Sequence, residues 1–425
     1  MQLSLIPAPV DLAKTPTNLL SSRHPIHRWC NFIAGYSPEL VTNAISEAQL
    51  SPADSILDPF AGLGTTLVQS LAEGYSTIGA EANPFFADIA KAKCEAVRGK
   101  FKPDEVFDRL HSLESRPDAA NAPYTESALK FLNQLIPEES LKVLMKARAC
   151  EAEISVKNRS LYRLVVSCLL ERLAGSQTDG IYKAPGSKKT AHSYQEALGA
   201  VETMVRQDLT STQTSSACTL ISGSAFELEK QSPGSVSLCV TSPPYLNNFD
   251  YAEMTRMELY FWAYASSWSD ITNRIRSLQV PNTTTVPADV KRKHRDQTRS
   301  LPAHVVSRLE PIVIELEEKR KQRAGKKEYY ALVFPYFAAL NRILANCKRL
   351  LRPDAPIHIV IGDAFLYGIH IPTAEVTRLL LEHHGFISLK MDLIRTRGAR
   401  WILSKREGAG TPIGEFMIYG RRNRD

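Results

Sequence analysis

No apolar run in this 425-residue chain approaches the roughly 18 to 20 residues needed to cross a bilayer, so no membrane-spanning helix is expected. The beginning, Met1-Gln2-Leu3-Ser4-Leu5-Ile6-Pro7, lacks a basic stretch followed by a sustained apolar one and does not read as a secretion signal. Seven cysteines (Cys30, Cys94, Cys150, Cys168, Cys218, Cys239 and Cys347) are widely spread, odd in number and form no C-x-x-C pair. That spacing excludes a disulfide framework and a thiolate zinc site, and it fits a reducing, cytoplasmic compartment with no metal. The chain carries no internal repeat and no low-complexity tract. Its one glycine-rich turn, Gly62-Leu63-Gly64, lacks the third glycine of the dinucleotide fingerprint and the Gly-Lys-Ser/Thr ending of a phosphate loop. NAD, FAD and nucleoside triphosphates are therefore disfavoured, and a nucleoside without phosphate suits the turn better.

What is present is globular. Hydrophobic content of 44% and charged content of 23% allow a full core, and the length fits one large domain with insertions or two to three ordinary ones. The formal charge of +7 is unevenly placed. Ser266 to Lys327 holds 14 Lys plus Arg against 7 Asp plus Glu, an excess equal to that of the whole chain. Such a stretch is either a footprint for a polyanion or a solvated basic surface. Lys291, Arg292, Lys293 and Arg295 are its densest cluster, in a segment that begins with the non-periodic Pro281–Pro287 and reads in part as a mobile loop.

Two strand ends carry the chemistry. Val236-Ser237-Leu238-Cys239-Val240 has the β-branched, apolar content of a buried strand, and two consecutive prolines then force the backbone out of the sheet at Thr241-Ser242-Pro243-Pro244-Tyr245. The prolines remove two N–H donors, so the Ser242 hydroxyl and the Pro243 carbonyl are left as hydrogen-bond partners beside an aromatic ring. A planar amine fits there. The second end is Ser55-Ile56-Leu57-Asp58, followed by a glycine turn and a helix opening at Thr65-Thr66. Glycine lets backbone approach a ligand, and a helix N-terminus offers free N–H groups. Thr77-Ile78-Gly79-Ala80-Glu81 then reads as a second strand, ending in a carboxylate 17 positions beyond Gly64, near the spacing at which such an acid meets a ribose.

Further strands are expected at 218–222, 357–363, 387–394 and 415–420, with helices from Ser37, over 140–150, 161–170, 193–204, 336–351 and 373–383. The alternation predicts a largely parallel α/β sheet with Asp58, Glu81, Ser224, Ser242 and Asp363 at the carboxyl ends of strands, where such sheets hold ligands. Residues 101–216 break the alternation as a helical insertion, and their basic loop at 176–189 either touches substrate or only joins helices. The aromatic residues between 249 and 262 read as core.

Asp58-Pro59-Phe60-Ala61-Gly62-Leu63-Gly64-Thr65-Thr66 and Thr241-Ser242-Pro243-Pro244-Tyr245 together resemble the amino-group DNA methyltransferases, which use S-adenosylmethionine to methylate N4 of cytosine or N6 of adenine. The likeness covers about residues 24–95, 217–262 and 328–420. It implies a Rossmann-like class I methyltransferase fold with a mostly parallel central sheet and two insertions. The parts would be a cofactor half at 1–100, the helical insertion at 101–216, a catalytic core at 217–265, a basic, DNA-contacting insertion at 266–327 and a C-terminal part of the catalytic domain at 328–425.

By that resemblance, Phe60, Gly62 and Gly64 would wrap the methionine part of S-adenosylmethionine, with Asp58 near its ammonium and Ala61 and Thr65 also cofactor-binding. Glu81 would take the ribose hydroxyls, and Asn83 and Ser224 would complete the cofactor side, Ser224 standing where many members have an acidic residue near the adenine. Ser242, Pro243, Pro244 and Tyr245 would be catalytic. A serine at the first turn position resembles the cytosine-N4 members more than the adenine-N6 members. RNA, including tRNA, stays open as a substrate, as does a catalytically silent nucleic-acid-binding subunit, and a restriction or defence partner is compatible with the family.

Overall fold

The computed structural model describes residues 21–30, 35–118, 124–176, 190–210, 213–246, 249–322, 327–397 and 413–424. The chain builds α1 (Pro38–Ala48), β1 (Ser55–Asp58), α2 (Thr65–Ala72), β2 (Ser76–Glu81) and α3 (Pro84–Val97). A helical run follows, with α4 (Pro103–His111), α5 (Glu126–Leu135), α6 (Glu138–Ala149), α7 (Arg159–Leu173) and α8 (Tyr194–Leu209). Next come β3 (Cys218–Ser222), β4 (Leu238–Thr241), α9 (Tyr251–Met254), α10 (Arg256–Phe261), α11 (Trp268–Asp270), α12 (Ala288–Arg292), α13 (Ala303–Lys321) and α14 (Tyr330–Leu350). The chain continues through β5 (Pro356–Gly362), β6 (Ala364–Leu366), β7 (Ile369–Ile371), α15 (Thr373–His383), β8 (Phe386–Arg397) and β9 (Ile413–Arg422).

Seven strands form one sheet in the order β3-β2-β1-β4-β5-β9-β8. The first five run parallel, and β9 runs antiparallel to both its neighbours. This is the mostly parallel sheet that the alternating pattern predicts, in the Rossmann-like form that the resemblance implies. Its middle strands are covered on both faces: every residue of β4 and of β5 is buried, which is why these segments read as continuous apolar runs. The ladder registers Asp58 with Gly79, Glu81 with Ser222 and Thr241 with Ile359. The carboxyl ends of these strands therefore lie along one rim.

The helical insertion packs on the β3 side of the sheet. Its α7 lies against α3, and Leu161, Tyr162, Leu164, Val165 and Val166 share a core with Leu67, Phe85 and Ile89. The stretch before α1 is stapled to the same insertion, because Asp208 accepts from the Ile26 N–H at 2.8 Å, from Trp29 Nε1 at 2.8 Å and from Arg28 at 2.6 Å. Tyr260, Phe261 and Trp262 are buried, as a core role requires. The basic loop predicted at 176–189 lies, from residue 177 on, outside the described residues.

Two segments differ from the sequence reading. α14 begins at Tyr330, six residues before the expected start, and runs through Pro335. A proline inside a helix removes one ladder bond at a cost of about 3 kcal/mol, but Ala331, Leu332, Val333 and Phe334 are all buried and hold the first turns in place. The stretch 281–300, expected in part as a mobile loop, forms α12 and a 3-10 segment over His294–Ser300. His294 is buried against Tyr330 there, with ring centroids 5.3 Å apart, so local non-periodicity is overridden by contact with α14.

Candidate active site

The rim is built from two turns joined by one carboxylate. Asp58, at the end of β1, is buried, and its Oδ1 accepts from Thr241 Oγ1 at 2.6 Å and from the Phe60 N–H at 3.0 Å. Its Oδ2 accepts from the Tyr36 hydroxyl at 2.9 Å, which also contacts Thr66 Oγ1 at the start of α2. Both oxygens thus have protein donors. Burial raises the Asp58 carboxyl above its ordinary range despite those donors, and burial also pushes the Tyr36 phenol well up, with Asp58 adding to the effect. The bond from Thr241, the residue before Ser242, locks the glycine turn to the Ser-Pro-Pro-Tyr turn.

Past Asp58 the backbone needs glycine twice. Gly62 has φ +53° and Gly64 has φ +86°, a left-handed region costly to other residues. A Cβ on Gly64 would stand 3.1 Å from Ala90 Cβ, so this glycine also allows α3 to pack close. A Cβ on Gly62 would meet nothing within 4 Å. Open space therefore borders the turn at Gly62. Phe60 is half-buried against the core that contains Tyr245, Ala61 is buried with its N–H bonded to Ala80 at 2.9 Å, and Thr65 is the first residue of α2.

Glu81, partly buried, ends β2 facing this turn. Its carboxyl accepts from the Gly62 N–H at 2.8 Å and from the Asn83 N–H at 2.7 Å. Burial pushes this carboxyl up to about 7, against the opposing effect of the two N–H groups. Asn83 is fully buried and spends its side chain on structure: Oδ1 caps α3 through the Phe85 N–H at 3.1 Å, and Nδ2 donates to Thr255 at 2.8 Å and to the Tyr251 carbonyl at 3.3 Å. These bonds tie the end of β2 to the helices that follow the Pro-Pro turn. Ser224 is buried and caps the 3-10 turn Ala225–Lys230 through the Phe226 N–H at 3.4 Å.

On the other side of the rim, β4 ends at Thr241 and the prolines begin two residues later, as their chemistry demands. Ser242 and Pro244 are partly exposed and Pro243 is buried. Among the described residues, neither the Ser242 hydroxyl nor the Pro243 carbonyl has a hydrogen-bond partner, so both are available to a ligand. Tyr245 is 8% exposed, and its hydroxyl donates to Glu415 Oε1 at 2.8 Å. The chain after it is pinned by the start of the basic insertion. Asp250 caps α9 and forms a buried pair with Arg276, with Nε to Oδ2 at 3.0 Å, and Asn282 donates to the Phe249 carbonyl at 2.7 Å.

The basic cluster is only partly available. Arg295 is held by Glu310 at 2.6 Å and Glu317 at 2.9 Å on α13, and Lys291 lies 3.6 Å from Glu328. Arg292 and Lys293 are exposed and have no ion-pair partner among the described residues. Sequence reasoning singled out the two turns, with Thr66 among them, and Glu81, but missed Thr255, Arg276, Arg395 and the role of Glu415, which left a trace only as a charge opening an apolar strand.

No helix of the described residues is long and apolar enough to cross a membrane. No cluster of three or more His, Cys, Asp or Glu among them could hold a metal ion.

The chain is similar to known methyltransferases along most of its length. A model of the N6/N4 methyltransferases, described as a DNA methylase, matches residues 20–92, which include Tyr36, the glycine turn and Glu81. The type II methyltransferase M.BsoBI of Geobacillus stearothermophilus is 25% identical over 420 residues, 88% of this chain and 81% of that protein. The type II methyltransferase M.AvaI of a Nostoc species is 21% identical over 438 residues, 94% of this chain and 84% of its own. The solved rRNA methyltransferase aviRa of Streptomyces viridochromogenes overlays with a TM-score of 0.28 and 9% identity, covering 98% of this chain and 89% of that one, a likeness too slight to bear on substrate. With one rim joining both turns, the chain is similar to the N6/N4 amino-methyltransferases over residues 20–92 and to type II methyltransferases along most of its length.

Proposed function

We propose that the protein transfers a methyl group from S-adenosylmethionine to an exocyclic amino group of a base at defined sites in DNA, with cytosine N4 favoured over adenine N6. The observation that carries this reading is the 2.6 Å bond from Thr241 to Asp58, which joins a glycine turn bordered by open space to a turn with an unengaged hydroxyl and carbonyl. Action at defined sites is suggested by the type II methyltransferase names of the relatives. Cytosine is favoured because serine, not aspartate, opens the Pro-Pro turn.

The residues present suit the cofactor. The space beside Gly62 is the cradle a Cβ would fill, and Glu81 at the end of β2 offers oxygens to ribose hydroxyls. When bound, S-adenosylmethionine supplies an electrophilic methyl carbon whose bond to the amino nitrogen forms as its bond to sulfur breaks. An exocyclic amine is a poor nucleophile because its lone pair is conjugated with the ring. Ser242 Oγ and the Pro243 carbonyl accept its two N–H bonds and favour a pyramidal nitrogen with its lone pair aimed out of the base plane. The Tyr245 ring stacks on the extruded base, and its face favours the positive charge that develops, an effect of about 2 kcal/mol when desolvated. The surplus proton leaves the nitrogen for solvent. Extrusion from a duplex costs a few kcal/mol, which contacts from exposed cations such as Arg292 and Lys293 offset.

The test is to incubate the full chain with labelled S-adenosylmethionine and either unmethylated, PCR-amplified genomic DNA or total RNA, and then to identify the labelled nucleosides by mass spectrometry. N4-methylcytosine from DNA is expected. N6-methyladenine would move the target base, and label confined to RNA would overturn the DNA reading.

A further inference from the structure

The aromatic residue of a Pro-Pro turn needs only a face to stack on a base, yet here it is a tyrosine whose hydroxyl points into the protein and donates to Glu415 at 2.8 Å. Glu415 is 170 positions away in sequence and sits in β9, paired with Gly362 at the end of β5, on the same rim as Asp58 and Ser242. It is 2% exposed, and its second oxygen is taken by Arg395 Nε. The acid is therefore satisfied only while the Tyr245 hydroxyl stays where it is. Turning the ring away would strand a buried carboxylate oxygen.

The partner strand is shaped to deliver this arginine. Along β8, Leu393 pairs with Phe416 and Arg395 pairs with Glu415, so β8 advances two residues while β9 advances one and Ile394 is left over. Without that bulge, Ile394 would face Glu415. Bulges re-aim side chains in this way beside functional sites. The result is a chain of three side chains from three elements, Arg395 to Glu415 to Tyr245, ending on the ring of the catalytic turn.

We infer that Glu415, held by Arg395, is a positioning residue that fixes the plane of the Tyr245 ring for the target base. The inference rests on the methyltransferase reading above, and it explains why the turn carries tyrosine where phenylalanine would stack equally well. A carboxylate accepting from the phenol also enriches the ring in electrons, which favours positive charge developing over its face.

The test compares wild type, Glu415→Ala, Glu415→Gln, Tyr245→Phe and the double variant Tyr245→Phe/Glu415→Gln. Each is measured for methyl transfer to PCR-amplified genomic DNA from tritiated S-adenosylmethionine, with calorimetric cofactor affinity and a thermal melt alongside. Glu415→Ala and Tyr245→Phe are expected to lower kcat about ten- to hundredfold, the size of effect that misplacing a reacting group by an ångström produces. KM for cofactor and its affinity stay within about threefold of wild type. Glu415→Gln keeps an acceptor for the hydroxyl and restores most of kcat, and the double variant falls no further than Tyr245→Phe alone, because both act through one contact. Should Glu415→Ala fail to fold, Tyr245→Phe and the double variant decide the matter. Wild-type kcat in Tyr245→Phe, or equal losses in the Gln and Ala variants, would overturn the positioning role while wild-type activity leaves the methyltransferase reading intact. A wild type that transfers no methyl group to DNA would sink that reading, and this inference with it.

Discussion

The two glycines of the turn proposed to hold the cofactor have different jobs, and replacing each by alanine should separate them. At both positions the left-handed backbone costs an alanine about 1–2 kcal/mol. Gly64→Ala pays more, because its Cβ would lie 3.1 Å from Ala90 Cβ and 3.2 Å from Ala90 Cα. Relieving that overlap means shifting α3, and overpacking of this kind adds roughly 1–3 kcal/mol. The total, roughly 2–5 kcal/mol, is a large share of a typical domain stability of about 5–15 kcal/mol. Gly62→Ala meets no atom within 4 Å and should lose only the backbone term. Its methyl would stand in the open space assigned to the methionine part of the cofactor. Urea denaturation and calorimetry with S-adenosylmethionine read the two quantities separately. Gly62→Ala is expected to stay folded and to bind at least tenfold more weakly, about 1.4 kcal/mol or more, whereas Gly64→Ala should lose stability first. Wild-type cofactor affinity in Gly62→Ala would refute the assignment of that space.

Three other outcomes follow from the site. Glu81 has a carboxyl raised to about 7, so its contribution to stability is complete below its unfolded value and is lost as pH rises through 7, while the ionised form needed by ribose hydroxyls gains over the same window; cofactor affinity should rise about tenfold between pH 6 and 8, and a flat profile would remove Glu81 from the cofactor site. Replacing Arg292 and Lys293 by alanine should lower the salt dependence of DNA binding by roughly one unit of log–log slope per residue, whereas Arg295→Ala, already paired with Glu310 and Glu317, should change it little; an Arg295 effect as large as the other two would mean that its ion pairs yield to phosphate. Arg276→Met removes the guanidinium from a buried pair with Asp250 and should cost about 3–5 kcal/mol in urea denaturation, and a loss below 1 kcal/mol would show that the insertion does not anchor the segment after the Pro-Pro turn.

The parts of this site that were legible in the sequence are those whose chemistry is local. A strand followed by two prolines, or by two glycines and a helix start, declares its geometry within a dozen residues, and β1, α2, β2 and β4 lie where those signals put them. The parallel sheet could be read from alternation alone. What could not be read are contacts between residues far apart in the chain: Tyr36 with Asp58, Asp250 with Arg276, and Tyr245 with Glu415 across 170 positions. The bulge that sets Arg395 opposite Glu415 leaves no mark in the composition of β8. Basic residues were visible, but their partners on α13 were not, so Arg295 read as available when it is held. The Asn83 side-chain bonds to Thr255 and to the start of α3 were likewise not legible from its place beside Glu81.

The division of labour between the two turns is tested most directly by Ser242→Ala, measured for S-adenosylmethionine affinity by calorimetry and for methyl transfer to DNA in a single turnover. The expected result is unchanged affinity with a rate at least about a hundredfold lower, the size of loss seen when a group that positions or stabilises the reacting atoms is removed. Cofactor affinity falling in step with the rate, or a rate equal to that of wild type, would contradict it.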